Sequence, residues 1–185
     1  MVPQVHEVEA KFRVADAQAV RVALGAFSVE WTAPVEQDDQ AYAPVTWDYG
    51  QSKIGVPFAR LRTQGGRHLF TVKTPGVNEL ACAEHESLVV DRDAMAAAVE
   101  AMGFRPTVRI RKRRQTAVFG GWTLCLDEVE GLCAFLEVEA LVGEGDDTGA
   151  VQAELAAFVE GLGITAERVT ETYDSLLRRA ASVPA

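Results

Sequence analysis

Glu7, Glu9 and Lys11 stand two residues apart in His6-Glu7-Val8-Glu9-Ala10-Lys11-Phe12-Arg13-Val14. In a strand, residues two apart share a face. Two carboxylates and an ammonium then point one way, and Val8, Ala10 and Phe12 point the other. Like charges stacked on one face repel. A divalent cation held by oxygen ligands offsets that repulsion, and the neighbouring lysine suits an anion. This is the spacing of a metal-plus-phosphate site. It is equally the spacing of a half-exposed strand, and on this segment alone the solvated strand is the favoured reading.

The pattern recurs along the chain, and recurrence changes the balance. Arg60-Leu61-Arg62 places two guanidiniums on one strand face, and Lys73 follows in Phe70-Thr71-Val72-Lys73. Glu84-His85-Glu86 repeats the acidic alternation. Lys112 and Arg114 share a face in the run Val108 to Arg114, Asp127 ends Leu124-Cys125-Leu126-Asp127, and Glu137-Val138-Glu139 copies the opening. Several strands charged on one side and apolar on the other imply a shared charged face. Glu7, Glu9, Asp127, Glu137 and Glu139 suit one or two cations. Lys11, Arg60, Arg62, Lys73, Lys112 and Arg114 suit a polyanion, with Lys11, Arg60, Lys73 and Arg114 as the candidate catalytic cations. Burying such charge without a ligand is costly, and Mg²⁺ or Mn²⁺ bridging carboxylates and substrate phosphates is the standard remedy.

Elements must hold these side chains together. Residues 5–14 read as a strand, and Asp16 caps a helix over Ala17 to Ala26. Residues 28–42 read as one long strand and 43–57 as a loop with Pro44, Gly50, Gly55 and Pro57. Phe58 to Thr63 and His68 to Thr74 flank Gln64-Gly65-Gly66-Arg67, a hairpin signal. Cys82 to Val90 is a further strand, and Asp91 caps a helix through Met102 closed by Gly103. Strands follow at about 107–119, 122–130 and 133–142, then helices over 147–162 and 166–181. The expected class is α+β: an eight-stranded antiparallel barrel flanked by helices, in one domain over residues 1–185. The helices need apolar strand surface, so the apolar faces are expected outward and the charged faces inward, lining a tunnel.

Composition narrows the partners. The 185 residues are 48% hydrophobic and 24% charged, an ordinary globular balance. The net charge of -9 argues against wholesale nucleic-acid binding. Three cysteines without metal-motif spacing argue against a disulfide framework and make a reducing cytoplasm the expected compartment. The N-terminal segment lacks a basic region followed by an apolar run, so no signal peptide is expected. No apolar stretch has the length of a membrane-spanning helix. The expected partner is a small-molecule polyanion, not a nucleic acid polymer or a membrane, and the expected state is a monomer or homodimer.

Glu7-x-Glu9-x-Lys11 resembles the ExExK signature of CYTH domains, the triphosphate tunnel metalloenzymes. The likeness continues in order through Arg60-x-Arg62, Lys73, Glu84-x-Glu86, Lys112-x-Arg114, Asp127 and Gly131 to Glu139. Thr172-Tyr173-Asp174-Ser175-Leu176-Leu177 is similar to the family's Ser-Tyr-x-x-Leu-Leu segment. The resemblance implies Glu7, Glu9, Glu137 and Glu139 as metal ligands with Asp127 beside them. It implies the six cations above as triphosphate ligands, with Glu84 and Glu86 orienting them or adding to the metal site. Two departures stand out. Gln40-Ala41-Tyr42 replaces the family's Asp-x-Tyr, with Asp38 and Asp39 nearby in uncertain register, and Cys133 replaces a glycine.

The length and the Asp127–Glu139 block are most similar to the class IV adenylyl cyclases, which convert ATP to cyclic AMP and pyrophosphate. The same machinery serves a triphosphatase acting on thiamine triphosphate, tripolyphosphate or a nucleotide. A non-catalytic polyphosphate or nucleotide binder is the third reading, and the acidic set argues against it. His6, His68, Arg109, Arg111 and Arg113 read as surface residues, and His85 as facing away from Glu84 and Glu86. The cysteines read as core residues and Trp31, Trp47 and Trp122 as packing residues, with Trp47 placed to reach a tunnel mouth.

Overall fold

The computed structural model of the chain describes residues 6–143 and 145–182. The segment before His6, including Val5 and the expected absence of a leader, lies outside them.

Strand β1 (His6–Val14) leads through Asp16 into helix α1 (Ala17–Gly25). The Asp16 carboxylate accepts from the Gln18 amide, the capping role expected of it. Strands β2 (Val35–Pro44), β3 (Phe58–Gln64), β4 (Arg67–Asn78) and β5 (Ala81–Val89) follow. Gly65 and Gly66 both have positive φ, +53° and +74°, which is the backbone a two-residue hairpin between twisted strands requires. Helix α2 (Arg92–Ala101) is capped by Asp91, whose carboxylate accepts from two amides. Strands β6 (Phe104–Phe119), β7 (Trp122–Val129) and β8 (Ala134–Val142), helix α3 (Thr148–Glu160), strand β9 (Ala166–Val169) and helix α4 (Tyr173–Ala181) complete the chain.

The pairings between these strands are antiparallel, in the order β5-β4-β3-β2-β6-β7-β8-β1. A short ladder from His6–Val8 to Ala81–Ala83 joins β1 back to β5 and closes an eight-stranded ring. Closure removes most open sheet edges. The apolar faces point outward. Val8, Ala10, Phe12 and Val14 of β1 join Leu124, Leu126, Leu136 and Val138 beneath α1 and α3. Helix α2 covers a second outer cluster of Tyr42, Ala59, Leu61 and Val99. The strands thus bury both faces, one against helices and one against the lumen.

Two elements differ from expectation. Residues 29–34 form no strand. Pro34 offers no amide to a ladder, and Thr32 instead tethers this segment to β6: its amide donates to the Thr116 carbonyl, 2.8 Å, and its hydroxyl oxygen accepts from the Thr116 amide, 3.0 Å. The expected helix over 166–181 is split into β9 and α4. β9 pairs with Lys11–Val14, the stretch of the β1 edge beyond its ladder with β5. Long-range pairing there overrides local helix propensity.

Candidate functional site: a charged tunnel closed at one end

The inward faces of the ring carry the charged residues singled out above. Glu7, Glu9 and Lys11 from β1, Arg60 and Arg62 from β3, and Lys73 from β4 border one cavity of about 360 Å³. Glu84 and Glu86 from β5, Lys112 and Arg114 from β6, and Glu137 and Glu139 from β8 border it from the other strands. The period of two places each set on one face, and ring closure brings the sets together. Asp127 lies behind this surface, fully buried, between Lys112 and Arg114.

The carboxylates divide into two kinds. Glu7, Glu9 and Glu139 each offer an oxygen within 4.8 Å of the others. Burial raises the Glu9 carboxyl against the opposing pull of Lys11, and Glu137 raises it further. Burial raises Glu139 to about 7 against the pull of Arg114, with Glu7, Glu137 and Glu9 adding repulsion. Glu9 and Glu139 resist ionisation although Lys11 lies 2.9 Å from Glu9 and Arg114 3.6 Å from Glu139, so the converging acids carry more negative charge than these cations offset. Their donors are all oxygen, which suits a hard cation such as Mg²⁺ or Mn²⁺. Cys125 lies beside Glu137 and Glu139. Burial pushes its thiol far up, so it stays protonated and is a poor ligand.

Glu137 is of the second kind. Burial pushes its carboxyl up, but Lys11, Arg114 and Lys112 outweigh this and hold it well below the usual carboxylate range. It receives Arg114 Nη2 in a very short contact and lies 3.3 Å from Lys11 Nζ. Asp127 is engaged likewise, taking Arg114 at both oxygens (2.6 Å each), Lys112 Nζ at 2.8 Å and the Tyr173 hydroxyl at 2.9 Å. The geometry thus sets Glu137 and Asp127 among the cations.

The cations are held in place by these and other acids. Asp39 receives Arg62 through two hydrogen bonds of 2.7 Å in a buried fork. Burial raises the Asp39 carboxyl, and the Arg62 hydrogen bonds and charge outweigh it, so it stays below the ordinary value. Lys73 Nζ bridges Glu7 (2.6 Å) and Glu84 (2.7 Å). Arg60 donates to the Thr71 hydroxyl and to Glu86, 3.0 and 3.4 Å. Oriented, desolvated guanidiniums of this kind are the groups that bind phosphate oxygens in pairs.

One end of the tunnel is covered. Helix α4 sits over an apolar plug of Ile110, Val129, Phe135, Val169, Tyr173 and Leu176. The Tyr173 ring lies under Lys11 Nζ (4.4 Å) and Lys112 Nζ (4.8 Å). Lys53, in the loop between β2 and β3, donates to Glu79, Thr172, Asp174 and Ser175 at 2.8 to 3.3 Å. One ammonium therefore ties that loop to the β4–β5 turn and to the start of α4.

Several placements were not legible from spacing. Asp39 points inward to Arg62, whereas Asp38 points outward to Arg109. Asp39 thereby supplies the acidic contribution of β2 that the Gln40 departure had put in question. Lys53, Glu79 and Tyr173 carried no alternation signal. Cys82 and Cys125 are buried as expected but face the lumen, where Cys82 borders the cavity. His85 is exposed between Glu84 and Glu86, and Trp47 borders the cavity.

Comparison with known proteins agrees with this architecture. The sequence is 24% identical to the adenylate cyclase CyaB of Aeromonas hydrophila over 176 residues, covering 94% of this chain and 90% of the relative. The fold superposes on a Pyrococcus horikoshii protein of solved structure with a TM-score of 0.76 and 26% identity, covering 94% and 99% of the two chains. A Hippeastrum protein, described as an adenylyl cyclase candidate with a dominant triphosphatase activity, superposes with a TM-score of 0.63 and 18% identity. It covers 96% of this chain and 98% of that one. The family profile described as the CYTH domain matches residues 5–173, and the chain belongs to the CYTH domain family.

Proposed function

We propose that this protein is a metal-dependent enzyme acting on a triphosphate inside its tunnel, with Glu7, Glu9 and Glu139 holding Mg²⁺ or Mn²⁺. The observation that carries this reading is the convergence of those three acids beside a ring of arginines and lysines. A module that only bound polyanions would need the cations and gain nothing from acids that repel one another. Bound there, the metal supplies positive charge to the phosphate oxygens as they develop charge.

The chain's own residues do the rest by positioning and charge. Arg60, Arg62, Lys73, Lys112 and Arg114 receive the phosphates, and Lys11 extends that surface toward α4. Asp39 fixes the Arg62 fork. Asp127 and Glu137 fix Arg114, so both carboxylates act here as positioning groups. Tyr173 and the plug around it keep water from that end.

The reaction we assign first is that of an adenylyl cyclase. The ribose 3′-oxygen of ATP bonds to the α-phosphorus, the bond from that phosphorus to the β-bridging oxygen breaks, pyrophosphate leaves with that oxygen, the hydroxyl proton passes to solvent water, and cyclic AMP forms. The relative named adenylate cyclase supports it. The second reading is hydrolysis of a triphosphate, favoured by the activity described for the Hippeastrum neighbour. The net charge of -9 supports a small-molecule substrate over a nucleic acid polymer, and no helix among the described residues is long and apolar enough to cross a membrane.

Product analysis tests this. The purified protein is incubated with Mg²⁺ or Mn²⁺ and, separately, with ATP, tripolyphosphate and thiamine triphosphate. Cyclic AMP with pyrophosphate supports the cyclase, and orthophosphate supports the hydrolase. No product from any of the three sinks both.

A further inference from the structure

The lumen does not stay charged along its whole length. On β3 the inward face runs Arg62, Arg60, Phe58, and on β2 it runs Asp39, Ala41, Ala43, with Ala41 opposite Arg60. Both strands exchange charge for apolar surface in the same direction, while Lys73, the β4 partner of Phe58, and Lys53, whose Nζ is 5.9 Å from the Phe58 ring, keep charge at the border of that surface. The two alanines leave space where the aromatic ring of Phe58 stands. Trp47 comes over this space from the β2–β3 loop, its ring edge-on to Phe58 at 5.0 Å and to Tyr49 at 5.1 Å. The Trp47 ring is fixed by a hydrogen bond from its indole N–H to the Ser52 carbonyl, 3.1 Å, and Lys53 pins the loop itself. Trp47, Tyr49, Phe58 and the alanines border the same cavity as the charged residues.

We infer that this aromatic chamber takes the planar ring of an organic triphosphate, and so selects a nucleoside or thiamine triphosphate over inorganic tripolyphosphate. The inference rests on the triphosphate reading above and adds the part of the substrate that the cations do not touch. An aromatic and alanine-lined wall continuous with a phosphate site suits a ligand that carries a ring as well as phosphates. Aromatic side chains hold flat heterocycles by stacking and edge contact, with little demand on which ring it is. Trp47, Phe58 and Ala41 are the specificity-determining residues.

Calorimetric titration at low temperature with ATP, thiamine triphosphate and tripolyphosphate, each with Mg²⁺, tests this, with product analysis in parallel. The wild type is expected to bind at least one of the two ring-bearing ligands roughly tenfold or more tighter than tripolyphosphate, the gain a stacked ring supplies. Whichever of the two shows the gain identifies the ring. Ala41→Leu fills the chamber without removing a core side chain, and Trp47→Ala empties one wall. Each is expected to erase the preference while leaving tripolyphosphate affinity within about twofold, the scatter expected away from a contact. Equal wild-type affinities for all three ligands, or variants that weaken tripolyphosphate as much as the ring-bearing ligand, overturn the chamber and leave the enzyme reading in place. The expected preference without any product sinks the enzyme reading and leaves the chamber. Failure to bind any of the three overturns both.

Discussion

Glu9 and Glu139 stand directly opposite each other across the β1–β8 ladder, both facing the lumen, with Glu7 close enough to share a ligand with them. Like charges in that relation destabilise a sheet by about 0.2–1 kcal/mol. The fold keeps the arrangement although a glutamine would be neutral. Removing one charge should therefore stabilise the metal-free protein and weaken its metal site. For Glu139→Gln, thermal unfolding in EDTA is expected at or above the wild-type temperature. The rise in unfolding temperature on adding Mn²⁺ is expected to shrink or vanish. A variant that keeps the full Mn²⁺ response takes Glu139 out of the ligand set.

Asp39 and Arg62 make the opposite case, a matched pair far from water. Asp39→Asn leaves a buried guanidinium without its counter-charge, which costs about 3–5 kcal/mol in comparable buried pairs. The pH dependence follows from the sign of the shift. The folded carboxyl lies below its ordinary value of 3.8. Its stabilising contribution is thus complete above that value and fades as pH falls below it toward the folded value. Denaturant unfolding of wild type and Asp39→Asn is expected to differ most near neutrality and to converge in acid. A gap independent of pH contradicts the ion-pair account.

Tyr173→Phe isolates one hydroxyl. The ring under Lys11 and Lys112 remains, and the hydroxyl's hydrogen bond to Asp127 is lost. A hydrogen bond to a charged acceptor contributes about 1.5–3 kcal/mol. Destabilisation in that range is expected from denaturant unfolding, with the Mn²⁺-induced rise in unfolding temperature unchanged because Tyr173 lies among the cations and apart from the three converging acids.

Lys53→Met tests what holds the covered end. Its ammonium is the shared partner of Glu79, Thr172, Asp174 and Ser175. Hydrogen exchange is expected to quicken in the 45–57 loop and in α4 while β1, β7 and β8 stay protected. Uniform quickening across the barrel means that Lys53 supports the whole fold and is not a local tie.

The parts read correctly from sequence share one physical basis. Glu7, Glu9 and Lys11 alternate with Val8, Ala10 and Phe12, and Glu137 and Glu139 alternate with Leu136 and Val138. A period of two fixes which side chains travel together, whatever the partner strand. The direction of the faces followed from the helices, which need apolar strand surface to cover. What the sequence could not fix depends on register and on contacts far along the chain. Asp38 and Asp39 differ only in which one meets β3, and the β2 ladder decides that. β9 exists because part of the β1 edge lies beyond the β5 ladder, which no local pattern records. Lys53 lies in a loop between Ser52 and Ile54, and its four partners are distant in sequence.

Glu7, Glu9 and Glu139 are proposed as the metal site of a triphosphate-processing tunnel. The most direct measurement is turnover of the best triphosphate substrate against Mn²⁺ concentration in wild type and Glu9→Gln. The variant's fold is checked by circular dichroism. Metal-dependent turnover is expected in the wild type and, in a folded variant, a loss of roughly a hundredfold or more, since loss of even an outer partner of a metal ligand costs about 10- to 100-fold. Wild-type turnover and wild-type metal dependence in Glu9→Gln would contradict it.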